Sequence, residues 1–165
     1  MIGIYVVFVD FKKAFNIVFR EGLFYKLLKL GCNDKLLKIL QNLYSKVKCA
    51  VNTPEGITDF FLTLLGVQQG SILSPLLFAL YFQDINEFLD DKDGLSVNGV
   101  SFKALLYADD LALTSDMIDG LQRLLDGLRR FCKTWKLSVN MTKTSILICK
   151  KGKKSENEKW FISHW

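Results

Sequence analysis

The chain has 165 residues, half of them hydrophobic, which is enough to bury the core of one domain. Its longest apolar runs, MIGIYVVFV at the start and LLFALYF at 76–82, are far shorter than the roughly 20 residues of a membrane-spanning helix. The first run has no basic segment before it, which argues against a signal peptide. We therefore expect an unsecreted, intracellular protein of the nucleus or cytoplasm, with no membrane partner.

The net charge of +5 is unevenly distributed along the chain. Residues 1–50 hold nine basic and three acidic residues, residues 51–120 hold two and eleven, and residues 121–165 hold eleven and three. Basic flanks suit a nucleic-acid backbone, and a concentrated acidic segment suits divalent cations. Scattered, solvated lysines are an alternative explanation of the same pattern.

The four cysteines are too far apart to form a zinc motif. Each lies within an apolar stretch, so we expect reduced thiols that are buried in the core. They are Cys32, Cys49, Cys132 and Cys149.

The first half of the chain predicts a strand, two helices and a hairpin. IYVVFV (4–9) has the β-branched and aromatic composition of a buried strand, and it ends at Asp10. A helical pattern then runs to Gly31, a C-cap, and Asn33 caps the next helix, DKLLKILQNLYSK. The segments VKCAVN and TDFFLTL flank the turn TPEG and predict the hairpin.

The second half predicts two helices and several strands. Ser74 as N-cap and Pro75 at the first helical position predict a helix to about Leu89, apolar nearly all round and therefore buried. LSVNGVSFKALLY predicts a strand, an Asn-Gly turn and a strand, and LALTS predicts another strand. Apolar residues at three- and four-residue steps predict an amphipathic helix over 121–135, and TSILIC (144–149) is the last strand.

Without residues 20–64, the predicted order is strand, helix, strand, strand, helix, strand. This order predicts an α+β fold, a ferredoxin-like split β-α-β antiparallel sheet with both helices on one face. In that topology the first strand lies beside the central hairpin. Asp10 is therefore expected to meet Asp109 and Asp110 at the hairpin tip.

The adjacent carboxylates in ALLYADDLALTS require an explanation, because two ionised aspartates repel each other and are costly to desolvate. Taken singly, Asp10 suits a helix N-cap, and Asp109 with Asp110 suits a polar hairpin turn. Three converging carboxylates would instead need a cation, and the middle of the chain has almost no lysine. Mg²⁺ prefers oxygen ligands, and two such ions support phosphoryl transfer. The spacing is thus compatible with a two-metal site.

Four segments carry a family resemblance: VVFVDFKKAF, GVQQGSILSPLLFALYFQDI, LLYADDLALTS and LSVNMTKTSILIC, in this order. They resemble the palm motifs of reverse transcriptases, especially those of retrotransposons without long terminal repeats (long-interspersed-element type), over residues 4–149. The resemblance implies an RNA-directed DNA polymerase, a nucleotidyltransferase that serves DNA integration. Its partners would be an RNA template, a DNA primer and deoxynucleoside triphosphates, and its cofactor two Mg²⁺ ions, with Mn²⁺ as a substitute.

The resemblance also implies catalytic roles for individual residues. Asp10 and Asp109 would bridge both metal ions, and Asp110 would support them. Lys143 matches the lysine that protonates or steadies the departing pyrophosphate, although a solvated lysine before a strand is an alternative. Tyr107 would brace the hairpin and contact the primer end.

Four further residues match nucleotide- and template-binding positions of the family. The backbone of Phe11 would lie near the triphosphate. Phe15 would stack under the deoxyribose and exclude a ribose 2′-hydroxyl, although a core phenylalanine is an alternative. Gln69 and Gly70 would lie against the nucleotide and template, where glycine allows a close backbone approach.

The chain also departs from the family pattern. Asn16 stands where aspartate is usual, and Gln68 stands where a basic residue is common. The upstream fingers and the downstream thumb are missing, so we expect a fragment of a longer reading frame. Residues 1–150 would be the palm with partial fingers (the insertion at 20–64), and 151–165 a basic, frayed tail in which His164 has no role.

Two other functions remain open. One is a catalytically inactive remnant that at most binds nucleic acid, favoured by Asn16 and the missing triphosphate site. The other is an RNA polymerase that copies RNA, which Phe15 at the gate position disfavours.

Overall fold

The computed structural model describes residues 3–150, which combine helices with β-sheet. The prediction of a mixed, α+β chain is confirmed at this level. The predicted basic tail, 151–165, lies outside the described residues. The helices are α1 (Arg20–Lys29), α2 (Asp34–Ser45), α3 (Leu73–Phe82) and α4 (Ile118–Trp135), with short 3-10 helices at Ala14–Asn16, Ile85–Phe88 and Asp91–Asp93.

The chain divides into two compact units. Within the described residues, the first comprises 3–14 and 82–150, and the second comprises Phe15–Tyr81. The strands of the described residues are β1 (Gly3–Val9), β2 (Lys48–Cys49), β3 (Asn52–Thr53), β4 (Gly56–Ile57), β5 (Phe61–Leu62), β6 (Leu95–Val97), β7 (Val100–Phe102), β8 (Ala104–Tyr107), β9 (Asp110–Ser115) and β10 (Ser145–Lys150).

Four strands of the first unit form one antiparallel sheet in the order β10-β1-β9-β8. The central strands are rich in β-branched and large apolar residues, which pack well on a pleated surface. The register of β1 and β9 places Tyr5 opposite Ser115 and Val9 opposite Leu111. The end of β1 therefore lies beside the start of β9, where the hairpin from β8 turns.

Helix α4 covers one face of this sheet and completes the core of the first unit. Val7 and Leu113 point from the central strands into this core, and Leu124, Leu128 and Phe131 point into it from the helix. All five are fully shielded from solvent. Each such side chain contributes about 2 kcal/mol through burial. Helix α4 packs on one face of the sheet, and it leaves the other face uncovered.

The second unit packs α1, α2 and α3 with two short strand pairs, β2 with β5 and β3 with β4. Its core contains Leu23 and Leu27 from α1, Leu40 from α2, and Phe78 and Tyr81 from α3. The strand pairs form the hairpin that the sequence predicts around TPEG.

Arg20 is buried in the second unit and joins α1 to two distant segments. Its guanidinium donates hydrogen bonds to the carbonyl oxygens of Gly66 (2.8 Å), Tyr44 (2.9 Å), Thr63 (2.6 Å) and Leu65 (2.8 Å). Burial lowers the pKa of Arg20 from its usual value. Four carbonyl groups are satisfied by this one side chain, whose planar fork supplies the necessary donors.

Several local signals predict their structures correctly. The Asn33 side chain caps α2 by accepting the Leu36 N–H at 2.8 Å. Asn98 and Gly99 both have positive φ, which is the type I′ hairpin turn that an Asn-Gly pair favours. The amphipathic helix predicted over 121–135 is α4.

The prediction for α3 was wrong in three respects. The helix begins at Leu73, and the Ser74 hydroxyl donates to the Gln68 carbonyl group, so Ser74 is not its N-cap. The helix ends at Phe82 instead of Leu89 and is followed by a 3-10 helix. It buries one side only, since Leu76 on the other side is 57% exposed.

The cysteine prediction is correct in part. All four are free thiols, but Cys49 and Cys149 are exposed and Cys32 is half-buried. Cys132 alone is in the core, where burial raises its pKa to about 12. Strand position explains the difference, because Cys149 lies on the sheet face that α4 does not cover.

Among residues 3–150, no helix combines the length and the apolar composition that crossing a membrane would require.

Candidate active site

The two faces of the sheet in the first unit differ in chemistry. Residues opposite each other in antiparallel strands point to the same face. Val9 and Leu111 point toward the core and are nearly inaccessible to solvent, so their neighbours Asp10 and Asp110 point to the opposite, open face. Val9 opposite Leu111 is the last pair of this ladder; Asp10 directly follows it, Asp110 directly precedes it, and both residues line one cavity. Two aspartates from distant parts of the chain therefore lie at the same end of the two central strands.

A cavity of about 560 Å³ lies on this open face. Asp10, Asp110 and Lys143 line it together with apolar side chains of β1, β8 and β9. Phe8 and Leu105 form part of this lining and are about half exposed. The cavity thus joins an apolar floor to a cluster of two carboxylates and one ammonium group.

Asp109 lies at the tip of the hairpin between β8 and β9. Tyr107 pairs with Asp110, so Ala108 and Asp109 are the two central residues of the turn. Ala108 has φ of 52° while Asp109 has negative φ, a pattern in which glycine is normally preferred at the first position. An alanine in this region costs about 1–2 kcal/mol. Asp109 is exposed and is not among the residues that line the cavity.

Tyr107 and Phe11, two predicted contact residues, differ in their environments. Tyr107 is opposite Asp110 on the open face and is 83% exposed. Phe11 is 4% exposed, and its ring packs edge-on against Phe82 with centroids 5.1 Å apart. The Phe11 side chain therefore belongs to the core, while only its backbone was assigned a role.

The turn formed by 140–144 holds the backbone of Asp10. The Asn140 N–H donates to the Asp10 carbonyl group at 2.7 Å, and the Asp10 N–H donates to Thr144 Oγ1 at 3.3 Å. Lys143, which lines the cavity, belongs to the same turn. The turn therefore holds the backbone of Asp10 and carries Lys143 in the same segment.

The predicted residues Phe15, Gln69 and Gly70 lie in the second unit. The Phe15 ring is half-buried and stacks on Phe78, with centroids 4.4 Å apart. Gln69 donates from Nε2 to Asn16 Oδ1 at 3.1 Å, so the unusual Asn16 supports Gln69. Gly70 has φ of +84° with open space beside it, which suits glycine.

Other acidic residues of the middle segment already have cationic partners. Asp93 is buried and accepts from Arg123 Nε at 2.8 Å, and this hydrogen bond raises the pKa of Arg123. Lys103 lies 2.6 Å from Asp91. A hydrogen bond from Lys92 lowers the pKa of Asp90. These ion pairs neutralise the acidic loop before the hairpin.

No three His, Cys, Asp or Glu side chains within residues 3–150 are gathered closely enough to form a ready-made metal cluster. The structure brings Asp10 and Asp110 together and leaves Asp109 at the adjacent hairpin tip. The carboxylates of Asp10, Asp110 and Asp109 offer oxygen donors, which hard cations such as Mg²⁺ prefer. The predicted metal-binding roles of the three aspartates stay predictions.

The fold and the order of the motifs match a known protein family. Residues 3–160 match the family described as "Reverse transcriptase (RNA-dependent DNA polymerase)". The chain belongs to the reverse transcriptase family. The resemblance inferred from the four motifs is therefore confirmed.

Relatives of this reverse transcriptase chain include two retrotransposon proteins. It is 30% identical over 139 residues to a Pol polyprotein from the type-2 retrotransposable element R2DM of Drosophila melanogaster. It is 27% identical over 145 residues to the RNA-directed DNA polymerase from the mobile element jockey of Drosophila funebris. The matches cover 84% and 82% of this chain, but only 13% and 15% of the relatives.

Solved structures with the same fold include telomerases. The apo telomerase from Candida tropicalis superimposes with a TM-score of 0.71 at 16% identity, over 98% of this chain and 31% of that protein. The telomerase of the same species bound to a TWJ fragment of telomeric RNA gives a TM-score of 0.70 at 18% identity, over 98% and 28%. At this identity the likeness establishes a polymerase palm fold.

Sequence reasoning missed the residues that hold the site backbone. Thr144 and Asn140 contact Asp10 across a separation of about 130 residues, and no local pattern encodes that contact. The segment NMTKT carries a partial signal, since Asn and Thr at these spacings form side-chain-to-backbone turns. The signal predicts the turn but not its partner.

Proposed function

We propose that this chain forms the catalytic centre of an RNA-directed DNA polymerase. The primer 3′-hydroxyl would attack the α-phosphate of a deoxynucleotide paired with an RNA template, releasing pyrophosphate. The observation that carries the proposal is that Asp10 and Asp110 line one cavity on the open sheet face. Membership of the reverse transcriptase family supports the reaction type.

Two Mg²⁺ ions would be held by Asp10 and Asp109, with Asp110 in support and Mn²⁺ as a substitute. Bound there, the ions would supply Lewis-acid activation of the attacking hydroxyl and stabilisation of the departing oxygen. Neighbouring carboxylates repel each other, and a divalent cation relieves that repulsion. The oxygen-only donor set of this hairpin edge supports such ions.

Lys143 would donate a proton to the departing pyrophosphate or stabilise its charge. Its place in the cavity that Asp10 and Asp110 line supports this role.

Nucleotide and template contacts are proposed for four residues. Phe15 would exclude a ribose 2′-hydroxyl, and its stacking on Phe78 supports a fixed ring plane. Gln69 and Gly70 would lie against the nucleotide and template, supported by the Gln69–Asn16 hydrogen bond. The Phe11 backbone would lie near the triphosphate. Tyr107, exposed beside Asp110, would contact the primer end.

The four-stranded sheet would be the split β-α-β sheet of a palm, and 20–64 would be a finger portion inserted in it. The strand order β10-β1-β9-β8 with antiparallel neighbours supports this assignment. The chain spans about a seventh of its retrotransposon relatives, so the whole enzyme would need further fingers and a thumb.

A second candidate function is an inactive remnant that at most binds nucleic acid. One observation favours it: residues 3–150 contain no preassembled cluster of three metal-ligating side chains. Asn16 in place of the usual aspartate points in the same direction.

Incorporation of labelled deoxynucleotide on an RNA template with a DNA primer, in Mg²⁺ and separately in Mn²⁺, tests the two functions. The polymerase proposal expects incorporation by the full chain and a loss of at least 100-fold in Asp109→Asn. The matched control Asp59→Asn removes an exposed carboxylate of the second unit and should keep full activity. Activity that is absent from every variant would favour the remnant, and equal activity in Asp109→Asn and the wild type would contradict the catalytic role of Asp109.

A further inference from the structure

Asp10 lies where β1 leaves the sheet, so the strand ladder no longer fixes it. Val9 is the last residue of β1 that pairs with β9, and Phe11 pairs instead with Val139 in an isolated bridge. The Lys12 N–H continues this contact by donating to the Ser138 carbonyl group at 2.8 Å. The segment after α4 therefore takes over the role of a neighbouring strand.

Both backbone groups of Asp10 are bonded to the turn at 140–144. The Asn140 N–H donates to the Asp10 carbonyl oxygen at 2.7 Å, and the Asp10 N–H donates to Thr144 Oγ1 at 3.3 Å. The Thr144 hydroxyl in turn donates to the Asn140 carbonyl oxygen at 2.9 Å. One hydroxyl thus closes a hydrogen-bonded ring by accepting and donating at once.

The chemistry of this ring requires a hydroxyl group. Valine has nearly the shape of threonine but offers neither donor nor acceptor, so it would leave the half-buried Asp10 N–H without this partner. Serine keeps both functions. The Thr142 hydroxyl, in the same turn, bonds to Asn140 Oδ1 at 2.8 Å and has no bond to Asp10.

We propose that Thr144 is a positioning residue, which sets the peptide that carries the Asp10 carboxylate relative to Lys143. Lys143 precedes Thr144, and its own N–H bonds to the Asn140 carbonyl oxygen at 3.2 Å. The ring therefore holds the backbones of two residues that line one cavity in a common frame. This inference rests on the proposed polymerase function for its consequence in catalysis, but its hydrogen-bonded ring is independent of it.

The test compares Thr144→Val, Thr144→Ser and the control Thr142→Val in the full 165-residue chain. Amide hydrogen exchange of Asp10 and the Hα–Hβ couplings of its side chain are measured by NMR, together with kcat and KM for templated incorporation. Thr144→Ala replaces the valine variant if valine prevents folding.

The expected result in Thr144→Val is at least tenfold faster exchange of the Asp10 amide and averaged Asp10 side-chain couplings. We expect kcat to fall about 10- to 100-fold, with KM for the nucleotide within about twofold, because misplacement acts on the chemical step. Thr144→Ser should restore both exchange and kcat, and Thr142→Val should resemble the wild type.

An Asp10 amide that exchanges at the same rate in Thr144→Val and the wild type overturns the inference. Faster exchange with unchanged kcat also overturns it, because the contact would then be structural only. If the wild type incorporates no nucleotide, the proposed function fails for this chain. The Asp10 Hα–Hβ couplings then test the positioning role of Thr144 by themselves. One rotamer in the wild type and Thr144→Ser but averaging in Thr144→Val supports the inference, while equal couplings in all variants reject it.

Discussion

Among single residues, the site depends on negative charge concentrated at one end of the two central strands, β1 and β9. Asp10 and Asp110 flank the last pair of β1 and β9, Val9 opposite Leu111, and line one cavity, where two carboxylates repel each other. The acidic residues of the preceding loop are different, because Asp91 and Asp93 have Lys103 and Arg123 as partners. Asp10 and Asp110, at the end of the central strands, are therefore the better candidates for binding a divalent cation.

Phe15 is expected to determine sugar selectivity. Phe15→Val should raise the use of ribonucleotides relative to deoxynucleotides by about tenfold or more, because a smaller side chain leaves room for the 2′-hydroxyl. Steady-state incorporation of each nucleotide type measures the ratio. Phe15→Tyr, which keeps the ring, is the control, and an unchanged ratio in Phe15→Val would remove the gate assignment.

Cys132 is expected to be chemically inert in the folded chain. Its pKa of about 12 keeps the thiol protonated at pH 8, and thiolate is the form that reacts. Iodoacetamide labelling followed by mass spectrometry should modify Cys49 and Cys149 rapidly and Cys132 only after denaturant is added. Equal labelling of the three in native conditions would contradict the placement of Cys132 in the core.

The raised pKa of Cys132 also makes the stability of the fold depend on pH. A thiol with a raised pKa in the folded state contributes fully below its usual pKa of 9.0, and the contribution is lost as pH rises from there toward 12. Comparing the free energy of unfolding of the wild type and Cys132→Ala between pH 8 and 10 should show the wild type losing more.

At the scale of elements, local signals predicted the structure well where partners are close in sequence. The Asn33 cap, the Asn98–Gly99 turn and the amphipathic period of α4 are encoded within a few residues. The end of α3 was not predictable in this way. The apolar pattern continues past Phe82, but the chain there turns to meet α4, and that contact is made across about 40 residues.

Gly127 of α4 is expected to be irreplaceable despite its low helix propensity. An added Cβ would overlap the Phe88 carbonyl oxygen and crowd Leu89, so Gly127→Ala should destabilise the fold by about 1–3 kcal/mol. Urea unfolding gives the value. Asp126→Ala, at an exposed neighbouring position, should change stability little, and a stabilised Gly127→Ala would contradict the close packing.

Arg20 is expected to be the main polar contribution to the second unit. Arg20→Met would leave the carbonyl groups of Gly66, Thr63 and Leu65 without this donor and should cost about 3 kcal/mol or more. Circular dichroism in urea measures the loss, with exposed Arg129→Met as the control. Equal midpoints for the two variants would show that the buried guanidinium contributes nothing.

At the scale of the whole molecule, the order of the motifs carried more information than any single one. The family, and the cavity that Asp10 shares with Asp110 of the hairpin, were predictable because the four segments follow one topology. The hydrogen bonds from 140–144 to Asp10 and from Arg20 to 63–66 were not, since they join segments remote in sequence. Folding creates these contacts, and no local propensity encodes them.

Metal binding by the three aspartates is tested by paramagnetic broadening with substoichiometric Mn²⁺ in the ¹⁵N-labelled chain. We expect the amide signals of Asp10, Asp109 and Asp110 to broaden first and Asp10→Asn to abolish this selectivity. Broadening that begins instead at 90–93, or that is the same in Asp10→Asn and the wild type, would contradict metal binding by Asp10 and Asp110.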